Sequence, residues 1–176
     1  MIGPAWCAMM ARYNIWQNRN LIAAADTLDD AARRAARGAF FGSIAGTLSH
    51  LLWGDRMWLS RFEGQPRPPG SIDASPAAFP DWAGYRAARA ETDAHILDWA
   101  TGLAAGDLEG DLYWYSGALG RDTSAPMALC VVHFFNHQTH HRGQVHAMLT
   151  AAGARPGVTD LFVMPGPGAG DDSPAP

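Results

Sequence analysis

The sequence contains no lysine and only two cysteines in 176 residues. All 13 cationic side chains are arginines, and with 17 acidic residues the formal net charge is -4. A protein that binds nucleic acid needs a basic surface to neutralise phosphates, so this charge balance argues against that class of partner. Cys7 and Cys130 cannot form a framework of several disulfides. We expect both to be small buried side chains in a reducing environment.

Long hydrophobic runs are also absent, since none approaches the roughly 20 residues that a membrane-spanning helix needs. The N-terminal stretch lacks the basic region and long apolar run of a signal peptide, and it carries Arg12 and Asn14. We therefore expect a cytoplasmic protein without a membrane partner. Apolar residues still make up 48% of the chain and charged residues 17%, so the chain can bury a core and does not belong to the disordered class.

Four long segments carry apolar residues at intervals of three and four, which is the period of an amphipathic helix. These segments span residues 4–28, 43–64, 81–102 and 124–153. The aromatic stretch 108–123 predicts a short hairpin or an ordered loop before the last helix. Four helices without a convincing sheet indicate an all-α four-helix bundle. We expect one domain over residues 1–164 and a tail rich in Gly and Pro over residues 165–176.

Histidines are concentrated in the fourth predicted helix, in the stretch VVHFFNHQTHHRGQVH. His137 and His141 fall on its predicted core-facing side, and their spacing of four residues places them on one helical face. An imidazole that is buried without a hydrogen-bond partner costs about 1–3 kcal/mol. A divalent metal would bind both rings at about 2.0–2.1 Å, so this pair predicts a metal site.

A third ligand should come from another helix, and His50 in LSHLLWGDRMW is the best candidate. It lies beside the apolar stripe of the second predicted helix, where the small residues Ser49 and Gly54 leave room for an ion. Three histidines with an open fourth position are typical of catalytic zinc sites, and nickel or iron would accept the same ligands. We place His133 next to this site and outside the ligand set.

The sequence also suggests roles for three residues near the histidines, namely Asp55, Arg142 and Gly143. Asp55 either orients a ligand histidine through its second ring nitrogen or pairs with an arginine such as Arg89. Arg142 either binds a substrate carboxylate or forms a salt bridge on the helix surface. Gly143 costs about 1 kcal/mol in a helix interior, for which the close approach of a neighbouring helix is the simplest reason.

Three motifs together resemble one protein family. They are ARYNIWQNRNL at 11–21, LSHLLWGDRMWLSRFEG at 48–64 and NHQTHHRGQV at 136–145, and they resemble the DinB family of the DinB/YfiT-like metalloenzymes. The resemblance implies an up-down-down-up four-helix bundle and often a homodimer. It also implies that His50, His137 and His141 bind one divalent metal, usually assigned as zinc or nickel. Asn14 and Asn18 match the opening motif, and we expect them to form hydrogen bonds across the bundle.

The better-understood relatives of this family resemble transferases and isomerases that use low-molecular-weight thiols. The chain is therefore expected to be a metal-dependent enzyme of the S-transferase or hydrolase type that acts on a small electrophilic substrate. The HxxxH stretch contains no glutamate, which argues against a zincin-like peptidase. The alternatives are a non-catalytic scaffold stabilised by metal, a stress-related metal-dependent binding protein, and a plain helical homodimer without metal.

Overall fold

The computed structural model of the chain describes residues 2–166, and most of them lie in helices. The described part contains five α-helices: α1 (Pro4–Asp26), α2 (Asp30–Arg34), α3 (Ile44–Phe62), α4 (Trp82–Gly102) and α5 (Met127–Ala151). Short 3₁₀ turns lie at Ser75–Ala77, Ala105–Leu108 and Leu161–Val163. The four long helices confirm the predicted all-α fold. From residue 167 onward, the predicted tail lies outside the described residues.

Local signals set the starts of the long helices. The Ser43 hydroxyl accepts a hydrogen bond from the Gly46 amide at 3.0 Å and caps α3, and Asp81 caps α4 in the same way. These caps satisfy amide groups that have no partner within the helix. The fourth predicted helix begins at Met127, slightly later than expected, because residues 124–126 extend a β-strand.

The aromatic stretch before α5 forms a hairpin, as predicted. Strands β1 (Asp111–Ser116) and β2 (Arg121–Pro126) pair antiparallel. Side chains alternate along β1, so that Tyr113 and Tyr115 are exposed whereas Leu112 is buried. The turn between the strands ends at Gly120, whose φ of +64° is a conformation that glycine adopts without strain.

Contacts between helix ends establish the up-down-down-up topology. Asp26 at the end of α1 accepts a hydrogen bond from Trp82 at the start of α4, so these helices are antiparallel. Phe62 at the end of α3 stacks on Trp99 near the end of α4 and packs edge-on against Phe134 near the start of α5. Helices α3 and α4 are therefore parallel, and α5 runs opposite to α3.

Two apolar clusters occupy the two ends of the bundle. Members of the first include Leu21, Ile44, Leu48, Tyr85, Val145 and Leu149. Members of the second include Ala11, Leu59, Ile96, Val131, Phe134 and Phe135, together with Cys7. Cys7 and Cys130 are both buried and unpaired, as expected. The core therefore consists of two apolar parts separated along the helix axes.

A layer of buried polar residues separates the two apolar clusters. Every long helix contributes to this polar layer, which consists of Asn14, Asn18, Asp55, Arg89, Asp93, Gln138 and Arg142. The layer lies at the level where α3 and α5 carry the predicted metal ligands. Among the described helices, none is both long and apolar enough to cross a membrane.

Candidate metal centre

The structure brings His50, His137 and His141 together. Each offers one ring nitrogen, and these three atoms lie within 4.8 Å of one another. The Nε2 atoms of His50 and His137 are 3.3 Å apart. Two ligands of a tetrahedral ion are separated by about 3.4 Å when each metal–nitrogen distance is about 2.1 Å. The spacing of this pair therefore fits two ligands of one ion.

Close packing of α3 against α5 produces this arrangement. A Cβ atom built on Gly54 would lie only 3.0 Å from Cε1 of His137, so a larger residue there would displace the ring. Gly54 therefore leaves room, as the sequence indicated, but the imidazole of His137 takes up that room. On α5, the rings of His137 and His141 lie 4.5 Å apart, as expected for neighbours one turn apart.

Hydrogen bonds to the second ring nitrogens orient two of the histidines. Ser75 Oγ donates to the Ile72 carbonyl at 2.5 Å, so it accepts from Nδ1 of His50 at 2.8 Å. With the Gln144 amide oriented as in the structure, its oxygen accepts from Nδ1 of His141 at 2.8 Å. Both histidines then carry their lone pair on Nε2, and such partners are the usual means by which proteins orient metal ligands.

Ser75 and Gln144 orient the histidines, whereas the sequence had suggested Asp55 for this role. Asp55 does not orient a ligand histidine, because its carboxylate binds Arg89 at 2.6 Å and Gln138 at 3.1 Å. The alternative pairing with Arg89 is confirmed. Gln144 lies three residues after His141, so helical spacing was a usable signal for it. Ser75 lies in the loop after α3, and no local pattern indicates its contact with His50.

Burial and mutual proximity keep the three imidazoles neutral. Desolvation, with the neighbouring histidines as a secondary cause, lowers the pKa of His137 to about 3 and that of His50 to about 4. Desolvation also lowers the pKa of His141. All three rings therefore offer lone pairs at neutral pH. In addition, Nδ1 of His137 is buried and has no hydrogen-bond partner within residues 2–166.

Aromatic side chains pack on the histidine cluster. Phe41, in the turn before α3, stacks on His50 at a centroid distance of 3.6 Å and lies 5.4 Å from the His141 ring. Trp53 lies 6.3 Å from the His50 ring and donates to the Pro69 carbonyl, which ties the loop after α3 to this helix. Phe41 was missed from the sequence because it lies outside the periodic segments.

Three further histidines lie outside the cluster, as we expected for His133. His133 is exposed, and its ring lies 5.8 Å from His137 and 5.0 Å from Trp58. His140 is exposed and accepts a hydrogen bond from Gln144. His95 is exposed and pairs with Glu63 at 2.9 Å.

The polar layer lies behind this cluster, and its two carboxylates pair with Arg89. Arg89 binds Asp55 at 2.6 Å and Asp93 at 2.9 Å, so one guanidinium joins two carboxylates. Asn14 and Asn18 donate to Asp93 at 3.0 and 2.8 Å, which confirms their expected role across the bundle. Together these bonds tie α1, α3 and α4 to one another.

The structure excludes one of the two roles considered for Arg142 and the reason suggested for Gly143. Arg142 is only 5% exposed, so a salt bridge on the helix surface is wrong. It donates instead to Asn14 Oδ1 and, at 3.3 Å, to Thr139 Oγ1. Within residues 2–166, no atom outside its own helical backbone lies within 4 Å of a Cβ built on Gly143, so none of the described helices approaches closely there.

Comparison with known families gives one match over most of the chain. The model that describes the DinB family matches residues 4–167. This span contains the four long helices, the hairpin and the three clustered histidines. Comparisons with curated proteins and with solved structures give no match.

Proposed function

The chain belongs to the DinB family, and from this membership and the geometry of its histidines we propose that it binds one divalent cation. His50, His137 and His141 would be the ligands, with zinc or nickel as the preferred ion and iron as a third candidate. The observation that carries the proposal is the convergence of three ring nitrogens within 4.8 Å.

The chemistry of the donor set supports a cation at this position. Three neutral imidazoles lie close together, and the orienting bonds from Ser75 and Gln144 leave Nε2 of His50 and His141 without a proton. Without a cation, a proton on Nε2 of His137 would join only that ring to His50, at 3.3 Å, whereas a cation would interact favourably with all three rings. Borderline-soft metals such as Zn²⁺ and Ni²⁺ match nitrogen ligands.

We further propose that the protein is an enzyme of the thiol-dependent S-transferase or hydrolase type. A cation held by three imidazoles would have an open fourth coordination position. A thiol or a water bound there would have a lowered pKa. A low-molecular-weight thiol would then be the co-substrate, and a small electrophile the substrate. Phe41 shields one side of the cluster from water. The exposed imidazole of His133 lies 5.8 Å from the His137 ring and would accept the proton that the thiol or water releases.

Metal content tests the ligand set. Protein purified without a histidine tag should contain about one Zn, Ni or Fe per chain by elemental mass spectrometry. His50→Ala and His137→Ala should lose at least about 90% of it, because two ligands hold an ion far more weakly than three. His133→Ala is the matched control, since it removes a histidine from the next turn of the same helix. Wild-type protein without metal, and with no uptake on titration, would refute the site.

Turnover tests the enzyme against the non-catalytic scaffold. The metal-loaded protein should accelerate the reaction of cysteine, glutathione, bacillithiol or mycothiol with 1-chloro-2,4-dinitrobenzene, measured as release of chloride. The His137→Ala variant should show only the uncatalysed rate. A hydrolytic activity would instead appear with esters and no thiol. Full metal occupancy without acceleration in either assay would favour the scaffold.

A further inference from the structure

A second concave site lies on the opposite side of α5 from the histidine cluster. It is a groove of about 320 Å³ between α1 and α5. At 100° per residue, the α5 residues that line it point about opposite to His137 and His141. The segment after α5 completes the groove, because Tyr13 donates from its hydroxyl to the Thr159 carbonyl at 2.6 Å.

Arg142 lines this groove and lacks a carboxylate partner. Arg89, which is equally buried, has two carboxylates in contact. Within the described residues, no carboxylate lies at ion-pair distance from Arg142, and its acceptors are the Asn14 amide oxygen and the Thr139 hydroxyl. Asp55 and Asp93 act on it only from farther away, and both are already bound to Arg89. A buried cation whose hydrogen-bond acceptors are all neutral would be stabilised by an anion bound beside it.

The guanidinium of Arg142 borders the groove. Two residues that contact Arg142 also line the groove. Thr139 accepts a hydrogen bond from its guanidinium, and the ring centroid of Tyr13 lies 5.5 Å from Cζ of Arg142. The remaining lining combines polar groups with an apolar part that includes Leu21 and Ala147. This combination suits a ligand with an anionic end and a short hydrocarbon body.

We propose that the groove binds a small organic carboxylate, with Arg142 as its cationic partner. A guanidinium matches the geometry of a carboxylate because two parallel N–H groups can bind its two oxygens. The volume is at the lower end of the roughly 300–1,000 Å³ of small-molecule sites, so the ligand has only a few carbons. This site is independent of the proposed metal and lies on another face of α5.

Gly143 provides a way to test the groove without removing the buried charge. It lines the groove, and a Cβ added there meets no atom within 4 Å. Gly143→Leu should therefore fill the groove while the protein stays folded. Arg142→Gln removes the charge directly, although it also disturbs the bond to Asn14. Arg86→Gln is the control for loss of one arginine, since Arg86 lies on α4 and pairs with Asp26 on the surface.

The experiment measures the thermal midpoint of the protein as purified, in sodium butyrate and in sodium chloride at matched ionic strength. Butyrate at about ten times its Kd should raise Tm by roughly 3–6 °C more than chloride does. This difference should level off as the butyrate concentration rises, because the site becomes saturated. Gly143→Leu and Arg142→Gln should lose this difference, and Arg86→Gln should keep it. Inorganic phosphate serves as a second probe, and a response to phosphate equal to that to butyrate would overturn the assignment of the groove to a carboxylate. An equal butyrate response in wild type and Gly143→Leu, or no saturable response in wild type, would overturn the proposal.

Discussion

The histidine cluster and the polar layer are both groups of buried or half-buried polar side chains in one bundle, but their partners differ. In the polar layer, carboxylates meet a guanidinium and amide donors, so opposite charges and complementary groups are in contact. In the histidine cluster, three neutral rings of the same type face one another. The first group forms ion pairs between opposite charges, although Asn18 Oδ1, Arg89 Nε and Gln138 Oε1 have no hydrogen-bond partner within residues 2–166. The second group presents ring nitrogens of one kind, which a cation would join. Buried polar groups therefore indicate a cation site where donor atoms of one kind converge, and a structural layer where opposite charges pair.

The largest expected effect comes from breaking the polar layer. Arg89→Met would leave the carboxylates of Asp55 and Asp93 buried without a cation, and loss of one partner from a buried pair costs about 3–5 kcal/mol. Urea unfolding should show this loss, while Arg86→Met, which removes a half-exposed pair, should cost less than about 1 kcal/mol. Equal effects of the two variants would mean that the layer does not hold the helices together.

Metal removal should affect the histidine cluster and leave the polar layer in place. If free metal is about 1,000 times its Kd, binding adds about 4 kcal/mol, so chelation should lower Tm by roughly 8–16 °C. Scanning calorimetry with and without chelator measures this shift. In His137→Ala the chelator should have almost no effect. A wild-type Tm that is insensitive to chelation would contradict the proposed site.

Acid should destabilise the metal-free protein through the histidines. Their pKa values in the folded state are lowered, to about 4 for His50 and about 3 for His137, while an unfolded histidine titrates near 6.5. Between these values the unfolded chain binds more protons, so stability falls as pH falls from about 6.5 toward 4. Urea midpoints of the apoprotein at several pH values should show this slope, and a His50→Gln/His137→Gln double variant should flatten it.

Two glycines inside helices give the smallest and most local test. Gly143→Ala should stabilise the protein by about 0.5–1 kcal/mol, because alanine favours the helix and its methyl group meets nothing. Gly54→Ala gains the same propensity but places a methyl group 3.0 Å from the His137 ring. Its metal affinity should therefore drop while that of Gly143→Ala stays unchanged. Titration with a competing zinc chelator compares the two, and equal affinities would show that Gly54 does not set the ring position.

Periodicity predicted the four long helices, the hairpin and the side of α5 that carries His137 and His141. These features are local, since helical spacing alone places residues i and i+4 on one face. His50 was also identified, because it lies beside the apolar stripe of its helix. The roles of Asp55 and Arg142 were each left open between two alternatives, and the burial of Arg142 excludes the one on the helix surface. Both residues have partners on other helices.

The amino-acid sequence by itself determined which segments become helices and which histidines can share a face, because these depend on chemistry repeated every three to four residues. Only the tertiary structure decided what each polar group meets. The contacts of Arg89 with Asp55, of Ser75 with His50 and of Phe41 with His50 depend on how helices and loops pack. Such contacts join positions far apart in the chain, or lie in turns without periodicity, and no local pattern encodes them. The separation of an ion-paired polar layer from a cluster of like histidine nitrogens is therefore a property of the packed bundle.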